Sequence, residues 1–219
     1  MLNLINIKKF LKNWGCGLIF IIPFLLIGLG TLSFSSYNIF KALQAKGWTP
    51  VSANIEKTDI TSHSNKGTVS HEVIVRYLYV IEGKKYSGKR IAFGYGMNNI
   101  DDHDGLYSKL ENSKKVLVYV NPSNNEESVI VPGMNDSITG LLIFTILWNS
   151  FIVVLGILPF VIKGVDENNE PRFTAKEATW IIFIIWIAGF AILFSNCFHI
   201  DIESKINVLE SRNVDLDIE

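Results

Sequence analysis

Three long apolar runs constrain this chain more than any other feature: residues 17–40, 138–162 and 178–198, none with a charged residue inside. A helix needs about 20 such residues to cross a hydrocarbon core of about 30 Å, so each run is expected to span a bilayer. Trp14, Trp48 and Trp180 fall near the ends of the runs, where indole rings favour the interface. The chain has 219 residues, 48% of them hydrophobic, and these are bunched rather than spread, as in a membrane protein. A formal net charge of −1 gives no reason to expect nucleic acid as a partner. Cys16 and Cys197 lie at the edges of apolar runs and far from a Cys-x-x-Cys spacing, which argues against a disulfide scaffold or a zinc site.

The first run follows Lys8, Lys9 and Lys12, as a signal peptide would, but its apolar stretch is too long and no A-x-A site follows closely. It reads as a retained anchor. Lys and Arg in short flanks set orientation. Lys8, Lys9 and Lys12 before the first run, and Lys163, Arg172 and Lys176 between the second and third, place those flanks in the cytoplasm. The last segment carries Lys205 and Arg212 against Asp201, Glu203, Glu210, Asp215, Asp217 and Glu219. The expected order is a cytoplasmic flank (1–16), a first span (17–40), an outer domain (48–133), a second span (138–162), a cytoplasmic loop (163–177), a third span (178–198) and an acidic tail (199–219). The inverted topology, with the large domain in the cytoplasm, is the alternative.

Between the first two spans the pattern changes from apolar runs to alternation. In "HEVIVRYLYVIEG", Val73, Val75, Tyr77 and Tyr79 share one face and Ile74, Arg76, Leu78 and Val80 the other, as in a half-buried strand. A Glu-Gly turn then leads into "KKYSGKRIAF", which predicts a hairpin. "VSANIEKTDI", "KKVLVYV" and "SVIV" supply further strands, "HSNKG" and "NPSNNEE" read as turns, and "DDHDGLYSKLE" reads as a short helix capped by Asp101 or Asp102. The fold class expected is α+β: three transmembrane helices, with a small antiparallel β-domain, a sheet or partial barrel, inserted between the first and second.

"AFGYG", residues 92–96, contains the GYG of potassium-channel filters. A filter needs carbonyls lining a pore at membrane depth. Here the triplet leaves a strand and enters the polar run "MNNIDDHDG", with no apolar pore helix before it. It therefore reads as a turn in which glycine allows positive φ.

Several residues punctuate the domain in a recognisable order: Trp48, Val51, Tyr77, Tyr79, Gly83, Tyr86, Gly88, Arg90, Ile91 and Phe93, then the closing run "VLVYVNPSNNEESVIVPG". This order resembles the DUF3592 family, mostly prokaryotic membrane proteins of unassigned function. Asn121 stands where the family usually has Asp, and Ile130 where it usually has Leu. The resemblance implies the domain with its two flanking spans and does not extend to the third span or the tail. Its residues are turn formers and core residues, so it implies little chemistry.

No catalytic constellation, cofactor motif or metal-ligand set emerges. His63 and His71 flank the first hairpin turn, but two histidines fall short of a zinc site. Asp101, Asp102, His103 and Asp104 lack EF-hand spacing. Asn149 in the second run is expected to bond a neighbouring helix, and Gly28 and Gly30 to permit close helix contact. The expected activity is therefore binding, not catalysis. The partners are the lipid bilayer and a protein: a cognate toxin, if the chain is a bacterial immunity protein of the inner membrane, or a subunit of an envelope or transport complex, if it is an accessory component. Arg76, Tyr86, Arg90, Phe93 and Tyr95, near the hairpin, are the candidate partner-binding residues, because aromatic and Arg side chains dominate docking energy.

Overall fold

A computed structural model describes residues 4–65, 68–96, 101–157, 175–195 and 200–212. The chain divides into two units. One combines Met1–Phe34 with Leu142–Phe194, and the other combines Ser35–Leu141 with Ser195–Glu219.

The second unit is built on an antiparallel sheet of six strands: β1 (Thr49–Asn65), β2 (Thr68–Ile81), β3 (Lys84–Gly88), β4 (Ser113–Asn121), β5 (Asn124–Val129) and β6 (Val208–Ser211). The order is β3-β2-β1-β4-β5, with β6 also paired to β4. The β2–β3 hairpin turns on Glu82 and Gly83, at φ of 50° and 79°. Two successive positive φ angles are what a two-residue turn matching strand twist demands. A bulge between Ile55 and Lys57 shifts the β1 register against β2. It moves the inward-facing positions of β1 from Ala53 and Ile55 to Thr58, so both ends of a 17-residue strand stay in phase with β2. At the far end of the strand order, Val131 N–H donates to the Ile91 carbonyl at 2.8 Å and Ala92 bridges Val131 in parallel. The segments following β3 and β5 thus join, and the sheet is drawn round on itself.

Alternation decides the core as expected: Val73, Val75, Tyr77 and Tyr79 are buried, while Ile74 and Val80 are exposed. They pack with Val116, Val118 and Val120 of β4 and with Leu106 and Leu110 of helix α2 (His103–Glu111). Asp102 caps α2, accepting the Gly105 N–H at 3.0 Å. Two turns are shorter than their composition suggests. β1 runs on through His63, Ser64 and Asn65, and β5 begins at Asn124. The Asn121 side-chain oxygen accepts the Ser123 N–H at 3.0 Å, which closes the β4–β5 turn early and frees the following polar residues to form an edge strand.

Residues 200–212, the described part of the expected acidic tail, join the sheet unit. Ile202 and Ile206 enter the core, a single 3₁₀ turn (Glu203–Lys205) separates them, and β6 joins β4.

Helix α1 (Leu4–Ala45) continues through Pro23 and ends just before β1. Helix α3 (Asp136–Phe151) passes into a π-helical turn (Ile152–Ile157), and α4 spans Ala175–Phe194. The ends of the expected second and third spans (158–162, 196–198), Pro159 and most of the loop between them lie outside the described residues. Among the described residues, two helices, Ile22–Ala45 and Asp136–Val154, are long and apolar enough to cross a membrane. In the first unit, α1 and α3 meet at Gly28, where an added Cβ would lie 2.5 Å from Ile152 Cδ1 and 2.7 Å from Asn149 Oδ1. Asn149 Nδ2 donates to the Gly28 carbonyl at 3.3 Å, and Trp148 Nε1 to the Phe24 carbonyl at 3.1 Å. Gly30 has nothing within 4 Å of such a Cβ, so only Gly28 serves close approach. α4 meets α3 where Gly189 faces Leu147 and Trp186 Nε1 donates to Ser150 Oγ at 3.3 Å. Leu26, Leu29, Phe34, Ile146 and Ile184 point away from these contacts and are exposed.

Candidate functional site

The five candidate residues separate into three environments. Arg76 lies on the outer face of β2, exposed, opposite Lys57 of β1. Ile74 and Val80 flank it on that face, 47% and 52% exposed. Tyr86 is half-buried on β3, its ring stacked on Tyr79 at 5.7 Å and covered by Lys84 Nζ at 5.1 Å. Arg90 is partly exposed, with its guanidinium 4.6 Å from the Phe93 ring. Phe93 itself is core, 2% exposed and edge-on to Trp48 at 5.8 Å. Tyr95 points inward: its hydroxyl accepts the Val73 N–H at 2.8 Å and bonds His103 Nδ1 at 2.9 Å. Arg90 and Phe93 are thus brought together, Arg76 is apart on the outer face, and Phe93 and Tyr95 serve packing.

These bonds explain GYG. Gly94 has φ of 71°, and a Cβ there would lie 2.6 Å from Ile138 Cγ1. Tyr95 ties the turn to β2. Burial pushes its phenol well above the usual range; the Val73 N–H opposes that, and Asp101 and Glu72 add to it. The triplet is a structural turn against the start of α3.

A polar joint that sequence reasoning missed lies beside Arg90. Lys41, near the C-terminal end of α1, donates to both oxygens of Glu127 in β5 at 2.9 and 3.0 Å. Asn121 Nδ2 donates to the same carboxylate at 2.7 Å, and Arg90 Nη1 approaches it at 3.7 Å. Lys41 Nζ also lies 5.9 Å from the Trp48 ring. Burial works against ionisation of Glu127, but the hydrogen bonds from Asn121 and Lys41 outweigh it and hold the carboxyl below its usual range. The signal was the departure from the family pattern: Asn at 121 supplies an N–H that Asp could not. Below the joint, the Tyr77 hydroxyl donates to the Arg90 carbonyl at 3.1 Å and meets Ser128 Oγ at 3.1 Å.

The two histidines whose side chains are described, His71 and His103, make hydrogen bonds within the domain. His71 Nδ1 bonds Ser62 Oγ at 2.8 Å, and its ring centre lies 6.3 Å from that of His103. The His63 side chain and His199 lie outside the described residues. Among the described residues no group of three or more His, Cys, Asp or Glu is placed to hold a metal ion.

No curated protein and no solved structure matches the chain. A family model described as "Domain of unknown function (DUF3592)" matches residues 51–135. The match starts after Trp48 and ends just before α3, short of both flanking spans that the resemblance implied. With its sheet, its hairpin turn at Gly83 and its closing Pro132-Gly133, the chain contains a DUF3592 domain at residues 51–135.

Proposed function

We propose that this chain is a non-enzymatic binding protein anchored in a membrane, and most concretely a bacterial immunity protein that neutralises a toxin acting at the inner membrane or in the periplasm. The observation that carries the reading is the outer face of β2. Ile74, Arg76 and Val80 stand exposed on a strand whose other face is buried from Val73 to Tyr79, which gives a rigid apolar and cationic surface suited to docking. The polar side chains gathered at Glu127 bond one another, so they hold the joint and leave binding to the outer face.

The anchoring rests on three helices. α3 leads away from the sheet unit, and the chain rejoins it after α4, because β6 pairs with β4. An even number of crossings must lie between, so if α3 spans, α4 spans as well. With the Lys-rich N-terminal flank in the cytoplasm, the sheet and the last segment face the periplasm.

The test is protection. Each product of the neighbouring genes is sent to the periplasm of a sensitive bacterium, with and without this protein. Survival only in its presence, lost on Arg76→Glu combined with Val80→Asp, is the expected result. Equal killing for every neighbouring product sinks the immunity reading.

A further inference from the structure

The segment 200–212 is fastened to the β-domain in an uneven way. Two side chains hold it from below: Ile202 and Ile206 are 1% and 4% exposed, among residues that include Leu106 and Leu110 of α2. Most other contacts are to backbone. Leu117 N–H donates to the Asn207 carbonyl at 2.9 Å, Arg212 N–H to the Asn112 carbonyl at 2.8 Å, Lys109 Nζ to the Glu203 carbonyl at 2.7 Å, and Lys205 Nζ to the Met134 carbonyl at 2.8 Å. Charged side chains of the segment are read as well: Glu210 sits between Lys114 and Lys115, at 2.6 and 2.8 Å, and Arg212 Nη1 meets Glu111 Oε1 of α2 at 3.3 Å. The strand itself is poorly held. Its ladder to β4 shifts register twice within three pairs, and Val208 and Leu209 are 37% and 52% exposed. An interrupted ladder with exposed side chains is the kind of element that opens locally before the rest of a sheet does.

Five strands are connected without β6, and the DUF3592 match ends at residue 135. The N-terminal half of β4 would therefore present an open edge if this segment left. What that edge and α2 recognise is a backbone, two isoleucines four residues apart across a 3₁₀ turn, an acid four residues further on and a base two beyond it. A chain with one tight turn ahead of a short extended stretch could supply all of this.

We propose that the β4 edge and the underside of α2 form a strand-binding groove that the protein fills with its own residues 200–212, and that it exchanges them for a segment of a partner protein carrying two such apolar residues across one tight turn, then an extended stretch with an acid facing Lys114 and Lys115 and a base facing Glu111. The inference stands on the geometry of the groove and holds whichever partner the chain serves. In the closed state the segment caps an edge that would otherwise invite unwanted pairing. In the exchanged state the partner becomes the sixth strand.

The test uses the full chain in detergent micelles and a labelled peptide of sequence Ile200–Arg212. Glu210→Lys in the chain sets three lysines together on the surface without touching the core. This variant is expected to bind the peptide one to one, at least tenfold more tightly than the unaltered chain, whose groove is occupied. Hydrogen exchange at Ser113–Leu117 should be faster in the variant and slow again with peptide, while β1 and β2 keep their protection. A peptide with Ile202→Asp and Ile206→Asp should bind neither chain. Absence of peptide binding to the variant, or equal binding by both chains, overturns the proposal. So does exchange in β4 that rises only together with β1 and β2, because the segment is then a fixed strand. If Glu210→Lys does not fold, Glu210→Gln removes only the charge and is read in the same way.

Discussion

Gly88 leaves no room for even one carbon: a Cβ there would lie 2.2 Å from Tyr77 Cε2 and 2.6 Å from Ser128 Oγ. Tyr77 is fully buried and held by its hydroxyl bonds, so its ring cannot move aside. Gly88→Ala is expected to cost about 1–3 kcal/mol, the range for overpacking a core, and to lower the Tm of the purified protein by several degrees. Tyr77→Phe should cost about 1–2 kcal/mol in the same measurement, since it removes one buried hydroxyl and the bonds to Ser128 and Arg90. Glu127 gives a pH signature. Its carboxyl is held below the usual value of 4.5, so its contribution is present above that pH and is lost as pH falls through the lower folded value. Glu127→Gln should destabilise the protein at pH 7 by about 1–3 kcal/mol and flatten the fall in Tm on acidification below about pH 4.5. An unchanged acid slope would show that the Lys41 and Asn121 bonds do not set it. Glu210, drawn down to about 2 by hydrogen bonds from Lys114 and Lys115, is too exposed to carry the same effect.

Elements were legible in proportion to how local their causes are. The faces of β2, the Glu82-Gly83 turn and the cap of α2 follow from alternation, positive φ and a single side chain, and all three stood in the sequence. The bulge at Glu56 did not, because it answers to pairing with two different strands. The joint at Glu127 was hidden because Lys41 and Glu127 are 86 residues apart, and Asn121, the one signal nearby, does not point to Lys41. β6 was hidden for another reason: "VLES" is short and sits in an acidic segment, and only β4 makes it a strand. Of the candidate residues, the sequence identified an aromatic and basic cluster but not which members point outward, since Phe93 and Tyr95 follow the last regular alternation of β3. At the helix level, Gly28 and Asn149 make a specific prediction. With Cys16 and Cys197 replaced by Ser, cysteines at Thr31 and Thr145 should cross-link in membranes, because Thr145 Oγ1 lies 3.4 Å from the Thr31 carbonyl. Gly28→Val should abolish the cross-link by forcing α1 away from Ile152 and Asn149. Cross-linking that survives would mean the two helices are held elsewhere.

At the scale of the whole molecule, the pairing of β6 with β4 puts the last segment, under the proposed topology, on the side of the membrane that holds the sheet. Alkaline phosphatase inserted near Lys66, and separately fused after Arg212, should therefore be active in both positions in bacterial cells. Activity in only one would contradict the topology, and inactivity in both would favour the inverted orientation. The same pairing has a meaning in time. Synthesis runs from the N-terminus, so β1 to β5 and α2 emerge long before Ile202 and Ile206, the residues that finish their core. Until the residues after α4 have been made, the domain waits with an unfilled slot. Under the proposed topology, a completed sheet is thus a record that neither α3 nor α4 crossed without the other, and a chain in which only one of them crosses carries an unfinished domain that proteases and chaperones can distinguish from a finished one.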